Sequence, residues 1–364
     1  MMKKLIALLL AFSMLLCGCG NKAAEEPTQA PTAAATEPTT EPTTEPTTVP
    51  TTEPPVYTNP LNGEIIEAPF TNRIVASTIS NIREALPHVS VNEADILMEM
   101  FVNTGIIRCI ALFSDVSDVE AFGSVRSTRY MFNDIAEHYN VILCHAAGMV
   151  RVLEDMEERG VDNVNLDNWE NIQEGVSYRD KEYRRGLEHS LFGIGPAILA
   201  FAENHGMDTS VPEGADYGFV FAEDGTPADG EIADEINIRI QYMKNKKETV
   251  MKYDQELGKY VYWQYGKMMA DQITKEPEAF ENVVVMNTSL EMKGIYMTAD
   301  FNAGGDGYYA CGGKIIPITW TCSGDDQPFR FFHADGTPVS FGVGNTYIAV
   351  SSADGEVTWT AAAE

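Results

Sequence analysis

The chain is short of basic residues for its length. Its 364 residues include 25 Lys and Arg against 54 Asp and Glu, which gives a formal net charge of −29. Nucleic-acid binding needs clustered positive charge, and so does adhesion to an anionic membrane surface. We therefore expect no nucleic acid among the partners of this protein, and any local group of basic residues stands out against the rest of the chain.

Cysteine is scarce as well, with six residues in the chain. Cys109 and Cys144 lie inside apolar runs, where cysteine is most often a small buried side chain. Cys311 and Cys322 flank the segment "GGKIIPITWT", and the sequence leaves open whether they form a disulfide.

Motifs for metals and cofactors are missing from the sequence. It contains no HExxH pattern, no paired CxxC pattern and no phosphate-binding loop. The segment "DFNAGGDG" at residues 300–307 has acidic residues but lacks the spacing and the final Glu of a calcium loop, so a glycine-rich turn is the better interpretation. We expect neither a metal site nor a cofactor.

Long hydrophobic runs are limited to the N-terminus, "MMKKLIALLLAFSMLLCGCG". Lys3 and Lys4 precede an apolar run that is too short for a comfortable membrane span, which is typical of a signal peptide. The ending "LCGC" resembles a bacterial lipobox in which Cys19 is lipidated. We predict a signal peptide at residues 1–18, a lipid anchor on Cys19 and a location on the outer face of the cytoplasmic membrane; the alternative is a secreted protein with an incidental cysteine.

Residues 19–57 are rich in Thr, Pro, Glu and Ala, and "TEPT" recurs there. Such a segment has too little apolar surface to offset the entropy that ordering would cost. We therefore predict a disordered stalk, which precedes an N-terminal α/β domain at 58–206 and a C-terminal β-rich domain at 232–354.

The folded part has the patterns of a mixed α+β protein. In the N-terminal domain, strand-like runs at 73–80, 94–101, 106–113 and 141–148 alternate with helical patterns at 127–140, 149–160 and 195–206, which predicts a sheet covered by helices. The C-terminal domain has short alternating runs, such as "DEINIRIQY" at 234–242, broken by Gly, Asp and Pro. This spacing predicts a small sandwich or barrel.

The segment "GSVRSTRYMF" at 123–132 places two arginines at the start of a predicted helix. Arg126 and Arg129 would project from one side, Ser127 would cap the helix, and the free N–H groups of the first turn would add donors. Positive charge is unfavourable at a helix N-terminus, so a bound anion would resolve the conflict. The alternative is that Glu120, Asp134 or another acid of the chain pairs with these arginines.

His145 follows a predicted strand and precedes a helix, which is a common place for site residues in such sheets. It could equally be a structural histidine. A pairing of Ser127 as nucleophile with His145 as base is disfavoured, because no nucleophile-elbow sequence surrounds the serine.

Several strings, in order along the chain, resemble the YerB-like lipoproteins of Gram-positive bacteria. They are "NPLNG", "GIIRCIALF", "GSVRSTRYMF", "VILCHAAG", "GLEHSL", "NVVVMNT", "YYACGGKIIPITWT", "DGTPVSF" and "GNTYIAV". The resemblance covers residues 59–352 and implies paired N- and C-terminal domains of unknown function. It also implies a shared arginine-rich loop, here Arg179, Asp180, Arg184, Arg185 and His189, with Glu188 where the family usually has proline.

The sequence therefore predicts a membrane-anchored binding module for an anionic cell-envelope ligand or a protein partner. The ligand-binding residues in this hypothesis are Arg126, Ser127, Arg129, His145, Arg179, Arg184, Arg185 and His189. The alternative is a cell-envelope hydrolase or transferase in which His145 or His189 acts as general base.

Overall fold

The structure, a computed structural model, describes residues 55–182 and 186–361. The predicted signal peptide, Cys19 and most of the predicted stalk lie outside the described residues, and so do Arg184 and Arg185. Within the described ranges, no helix is long and apolar enough to span a bilayer.

The segment before residue 206 contains ten strands and all four described α-helices. The strands are β1 (Tyr57–Thr58), β2 (Ile65–Ile66), β3 (Val75–Ser80), β4 (Ile96–Asn103), β5 (Ile106–Phe113), β6 (Phe122–Gly123), β7 (Ile142–His145), β8 (Asn163–Asn165), β9 (Ser177–Arg179) and β10 (Leu191–Gly193). The helices are α1 (Tyr130–His138), α2 (Val150–Glu158), α3 (Trp169–Gln173) and α4 (Gly195–Asn204).

The segment after residue 206 is made of strands and turns, with one 3-10 helix at Phe301–Ala303. Its strands are β11 (Val220–Ala222), β12 (Glu231–Ile232), β13 (Glu235–Tyr242), β14 (Asn245–Asp254), β15 (Lys259–Gln264), β16 (Lys267–Met268), β17 (Ala279–Phe280), β18 (Asn282–Asn287), β19 (Leu290–Lys293), β20 (Tyr296–Ala299), β21 (Gly305–Cys311), β22 (Lys314–Thr321), β23 (Arg330–Phe332), β24 (Ser340–Gly342), β25 (Thr346–Ser351) and β26 (Glu356–Thr360).

Strands from both segments form one large sheet of 13 strands. Its main order is β12-β22-β21-β18-β25-β4-β5-β3-β7-β8, with β19, β20 and β23 attached beside this path. The late strand β25 runs parallel to the early strand β4 on one side and to β18 on the other. Strands β4 and β5 are buried almost throughout, as expected for the centre of a sheet covered on both faces.

A smaller sheet of six strands has the order β16-β15-β14-β13-β26, and β17 pairs with β15. Strand β13 alternates as its sequence predicts, because Ile236, Ile238 and Ile240 are buried and their neighbours are half-buried. This sheet packs on the large one, where the rings of Tyr262 and Tyr347 lie 5.6 Å apart. Aliphatic and aromatic side chains of both segments belong to one contiguous core.

The mixed architecture confirms the α+β fold class. The predicted small sandwich or barrel is wrong as a separate body, because β18, β21, β22 and β25 belong to the large sheet that the N-terminal segment also forms. Cys311 and Cys322 are free thiols and both are buried, so they do not form a disulfide.

Candidate functional site

Residues 124–128, just before α1, lie between strand β3 and the loop that follows β7. We call this segment the strip. Backbone hydrogen bonds hold it on two sides. The Arg126 N–H donates to the Thr78 carbonyl on β3 at 3.0 Å, and the Arg126 carbonyl accepts from Ala146 at 2.9 Å. The Thr128 N–H donates to the Ala147 carbonyl at 3.0 Å. The strip is therefore fixed between a central strand and the loop that follows β7.

Helix α1 begins later than the sequence predicts. Arg129 is its N-cap residue, with an extended backbone and no side-chain capping bond, so Arg126 and Ser127 lie outside the helix. The expected shared helical face and the Ser127 cap are both wrong. The physical reason is that tertiary hydrogen bonds to β3 and to the β7 loop hold residues 126–128 extended.

A third arginine, which the sequence analysis missed, joins the pair. Arg108 lies on β5, and only 4% of it is exposed. Its Nη1 donates to the Ser127 carbonyl at 2.6 Å, which brings its guanidinium beneath the strip. Its signal in the sequence is a lone arginine inside the apolar run "IIRCIALF".

Arg129 is buried to a similar extent, with 7% exposed. Its Nη1 donates to the Thr128 carbonyl, and its guanidinium lies 4.4 Å from the ring centroid of Tyr296 on β20. Its Nε is buried and has no hydrogen-bond partner among the described residues. An aromatic face offers a cation some stabilisation but leaves its N–H donors unused.

Arg126 is the outer member of the group. Its Nη1 donates to the Glu188 carbonyl at 2.8 Å and lies 3.3 Å from the Glu188 carboxylate. That glutamate is 75% exposed, so the ion pair is worth at most about 1 kcal/mol. The acid that meets Arg126 is thus neither Glu120 nor Asp134, but the residue at which this chain departs from the YerB-like pattern.

The three guanidinium groups carry like charges, so each makes the charged form of the others less favourable. Burial lowers the pKa of Arg108 well below its usual value, and the nearby charges of Arg129 and Arg126 lower it further. Burial also lowers the pKa of Arg129, with Arg126 acting in the same direction. Within the described ranges, no ion pair joins Arg108 or Arg129 to a carboxylate. We call Arg108, Arg126 and Arg129 the arginine cluster.

Two other arginines of this chain, Arg73 and Arg159, have carboxylate partners. Arg73 is 6% exposed, yet its Nη1 lies 2.6 Å from Asp162 and its other donors meet backbone carbonyls. Arg159 pairs with three carboxylates, those of Asp134, Glu137 and Asp155. A chain this acidic can supply carboxylates to buried arginines, which makes their absence around Arg108 and Arg129 notable.

The side chain of His145 is occupied away from the arginines. Its Nδ1 lies 3.0 Å from the Ala147 carbonyl, and its Nε2 lies 3.1 Å from Oδ1 of Asn163 on β8. It is buried, and that burial lowers the pKa of its imidazole. In the described part of the chain no hydrogen bond joins it to Ser127. The structure therefore brings the backbone of this loop to the cluster, but not the imidazole.

Of the predicted arginine-rich loop, Arg179, Asp180 and His189 are described. Arg179 pairs with Asp167 and donates to the Leu187 carbonyl at 2.7 Å, so it holds its own loop together. His189 is buried, and its Nδ1 lies 3.4 Å from Nη1 of Arg126. The loop thus delivers His189 and Glu188 to the cluster, while Arg179 stays apart from it.

The glycine-rich turn near residue 300 has a structural use. The Asp300 carboxylate accepts from the Ala303 N–H at 3.2 Å and caps a 3-10 turn. Nowhere in the described ranges do three or more His, Cys, Asp or Glu side chains gather as metal ligands would.

Comparison with known proteins supports the architecture. A family model described as "Protein of unknown function (DUF3048) N-terminal domain" matches residues 61–208, and the model for its C-terminal domain matches residues 238–348. The Bacillus subtilis (strain 168) protein described as "Putative lipoprotein YerB" is 24% identical over 302 residues, which cover 80% of this chain and 85% of that protein. The crystal structure of YerB from Bacillus subtilis has a TM-score of 0.69 and 20% identity, covering 83% of this chain and 99% of that one. Because these two family models match residues 61–208 and 238–348, the chain belongs to the YerB-like family, which has paired DUF3048 domains of unknown function.

Proposed function

We propose that this protein is a lipid-anchored binding protein on the outer face of the cytoplasmic membrane. Its arginine cluster holds an anionic group carried by a cell-envelope ligand or by a protein partner. Arg108 and Arg129 supply buried charge, and Arg126 forms the outer contact, where a ligand can replace its pair with the exposed Glu188.

One observation carries this proposal. Two arginines, each more than nine-tenths buried, lie close together without a carboxylate among the described residues, and one N–H of Arg129 has no acceptor. Burying charge without a partner costs several kcal/mol per ion, on the order of magnitude known for proteins. An anion in contact with the cluster would remove this cost, and the binding free energy would include that relief.

The chemistry of the donors favours an oxyanion. A guanidinium group presents parallel N–H donors that match two oxygens of a carboxylate or phosphate. Arg126 can exchange its exposed carboxylate partner for a ligand at little cost, because the Glu188 side chain is mostly in water.

Calorimetric titration of the full-length chain with inorganic phosphate tests the site. We expect saturable binding to the native chain and loss of that binding in Arg126→Ala/Arg129→Ala. The matched control is Arg151→Ala/Arg330→Ala, which removes the same charge from the surface and should bind as the native chain does. Equal binding by both double variants would refute the proposal.

The anchor rests on the lipobox-like sequence and on a relative whose name describes a lipoprotein. We expect Cys19→Ser to abolish palmitate labelling and membrane retention. Cys17→Ser, two residues away, is the matched control and should leave both unchanged. Membrane retention of the Cys19→Ser chain would contradict lipidation at this position.

The alternative function, a cell-envelope hydrolase or transferase, finds its support at His189 rather than at His145. His189 adjoins Arg126, so a base would lie beside the anion-binding groups. An enzyme would turn over cell-wall fragments and lose that turnover in His189→Gln while still binding phosphate. Binding without turnover in the native chain would leave the binding protein as the function.

A further inference from the structure

A groove lies between the β4–β5 turn and strands β14 and β15 of the small sheet. Its volume is about 1000 Å³. The turn between β4 and β5 forms one wall at Gly105, the β13–β14 hairpin forms the other, and β15 contributes Trp263 and Gln264. The groove is open to solvent.

Its charge runs against that of the chain. Its lining holds Lys247 and three further lysines, namely Lys244, Lys246 and Lys252, against two glutamates, Glu235 and Glu248; without Lys247 the balance is 3 − 2 = +1 in a chain of −29. Lys247 is committed to the buried Glu99. The pairs of Lys246 with Glu248 and of Lys252 with Glu235 lie at the surface, and a ligand can replace such pairs at little cost.

The lysines are spread out rather than focused. Lys246 and Lys252 lie on the same face of β14, six residues apart, which corresponds to about 20 Å along an extended strand. One small anion cannot contact both. Ammonium groups at such intervals match a linear molecule whose negative charges repeat along its length.

The groove also presents aromatic and polar surface for the rest of such a ligand. Trp263 is half-buried in the lining, and Lys252 Nζ lies 5.1 Å from its ring centroid. Gln264 is 98% buried, since 2% of it is exposed, and its Nε2 donates to Asn81 at 2.7 Å. Its Oε1 is buried as well and has no hydrogen-bond partner among the described residues.

We propose that this groove binds a linear acidic glycan, a saccharide chain that carries carboxylate or phosphate groups. The lysines meet the charges, and Trp263 packs on the flat face of a sugar ring. This site rests on residues other than the arginine cluster, so it stands or falls independently of the function proposed above.

The experiment is a calorimetric titration of the full-length chain with a hexamer of galacturonic acid. A neutral cellohexaose and an inorganic polyphosphate of similar length are the comparison ligands. We expect the galacturonate hexamer to bind, the neutral hexamer to fail, and added salt to weaken binding because it screens exposed charges.

Two sets of variants decide the site. Lys244→Glu/Lys246→Glu changes exposed side chains on the hairpin, so the fold should persist and affinity should fall about tenfold or more, equivalent to about 1.4 kcal/mol. Lys181→Glu/Lys275→Glu makes the same change in charge at exposed positions outside the groove and should alter affinity less than twofold. Equal losses in both variants would overturn the proposal.

Trp263→Ala separates a glycan from a bare polyanion. We expect it to weaken the galacturonate hexamer while leaving the affinity for polyphosphate unchanged, with the melting temperature measured in parallel. If polyphosphate binds as tightly as the hexamer and Trp263→Ala affects neither, the groove does not recognise a glycan and the proposal is wrong. Failure of both acidic ligands to bind would also refute it.

Discussion

At the scale of single residues, a comparison of two arginines shows what a buried charge needs from its surroundings. Arg73 and Arg129 are almost equally buried, yet Arg73 has a carboxylate and three carbonyls while Arg129 has one carbonyl, an aromatic face and an unused Nε. A buried charge with full partners stabilises a fold only modestly, whereas one without partners is a cost. Residues kept at such a cost are candidates for function.

Two titrating side chains of α1, Asp134 and His138, have opposite effects on the free energy of unfolding as the pH falls. Burial raises the pKa of Asp134 to about 7, despite the charge of Arg159, and burial lowers the pKa of His138 to about 4. Between pH 7 and pH 4, Asp134 binds a proton in the folded state but not in the unfolded state, so acidification stabilises the folded state through this residue. Below about pH 6.5, His138 binds a proton in the unfolded state but not in the folded state, so acidification destabilises the folded state through this residue.

Substitutions should separate the two contributions. Relative to the native chain, Asp134→Asn should lose stability as the pH falls from 7 to 4, and His138→Phe should gain it. At about 1.4 kcal/mol per pKa unit, the change is at most about 4 kcal/mol for Asp134 and at most about 3 kcal/mol for His138. Urea unfolding at pH 4, 5.5 and 7 measures both. Parallel pH profiles for the three proteins would show that neither side chain titrates as its burial implies.

At the scale of elements, a buried polar network joins the two sheets. Glu99 on β4 is fully buried and pairs with Lys247 on β14. The Tyr347 hydroxyl on β25 and the Thr249 hydroxyl on β14 also donate to it. Such a network fixes the register of one sheet on the other, because a shift of either strand would leave charges unpaired.

Breaking this pair from one side should be costly. Glu99→Leu alone and Lys247→Met alone should each lose about 3 kcal/mol or more, because each leaves an uncompensated buried charge. The double variant should lose much less than the sum. Lys246→Met/Glu248→Leu, on the exposed face of the same strand, is the matched control and should lose under about 1 kcal/mol. Additive losses in the buried pair, measured by urea unfolding, would contradict this account.

Local elements followed from sequence wherever periodicity was strong. The alternation of Ile236, Ile238 and Ile240 and the hairpin of β4 with β5 were confirmed, because burial of one or both strand faces leaves a pattern in neighbouring residues. The start of α1 was not predictable, since hydrogen bonds from β3 and the β7 loop decide it. Those partners are remote in sequence.

The candidate site was predictable only in part. The motif around Arg126 and Arg129 identified two members of the arginine cluster, whereas Arg108 was hidden in an apolar strand and Tyr296 lies 167 positions beyond Arg129 in the sequence. His145 lies at a strand end as expected, but its imidazole is hydrogen-bonded to Asn163 on β8. Side-chain direction at a strand end depends on neighbouring strands, which a single sequence does not reveal.

At the scale of the whole molecule, the sheet ties the beginning of the folded chain to its end. The parallel pairing of β25 with β4 places residues 346–350 beside residues 96–100. A fragment ending near residue 218 would expose β4 as a long apolar edge, which promotes association between chains. We expect residues 55–218 alone to lack a cooperative unfolding transition.

Near-ultraviolet circular dichroism and thermal melting of that fragment measure this, with the full-length chain as control. A fragment that unfolds cooperatively would show instead that the predicted domain at 58–206 is an independent folding unit. Co-expression with the remainder of the chain should restore a native-like spectrum if strand pairing is what the fragment lacks.

The central claim is that the buried arginines of the cluster bind an anion. The most direct test is to measure the free energy of unfolding of the native chain, Arg129→Met and Arg73→Met, each with and without inorganic phosphate. Without phosphate, Arg73→Met should destabilise the chain, because it removes the hydrogen bonds to three backbone carbonyls and the ion pair with Asp162, whereas Arg129→Met should not destabilise it, because it removes a buried charge that has no carboxylate partner among the described residues. Phosphate should stabilise the native chain and Arg73→Met by mass action but leave Arg129→Met unchanged. If Arg129→Met is as destabilising as Arg73→Met and phosphate stabilises both equally, the arginine cluster is a structural feature and the account is wrong.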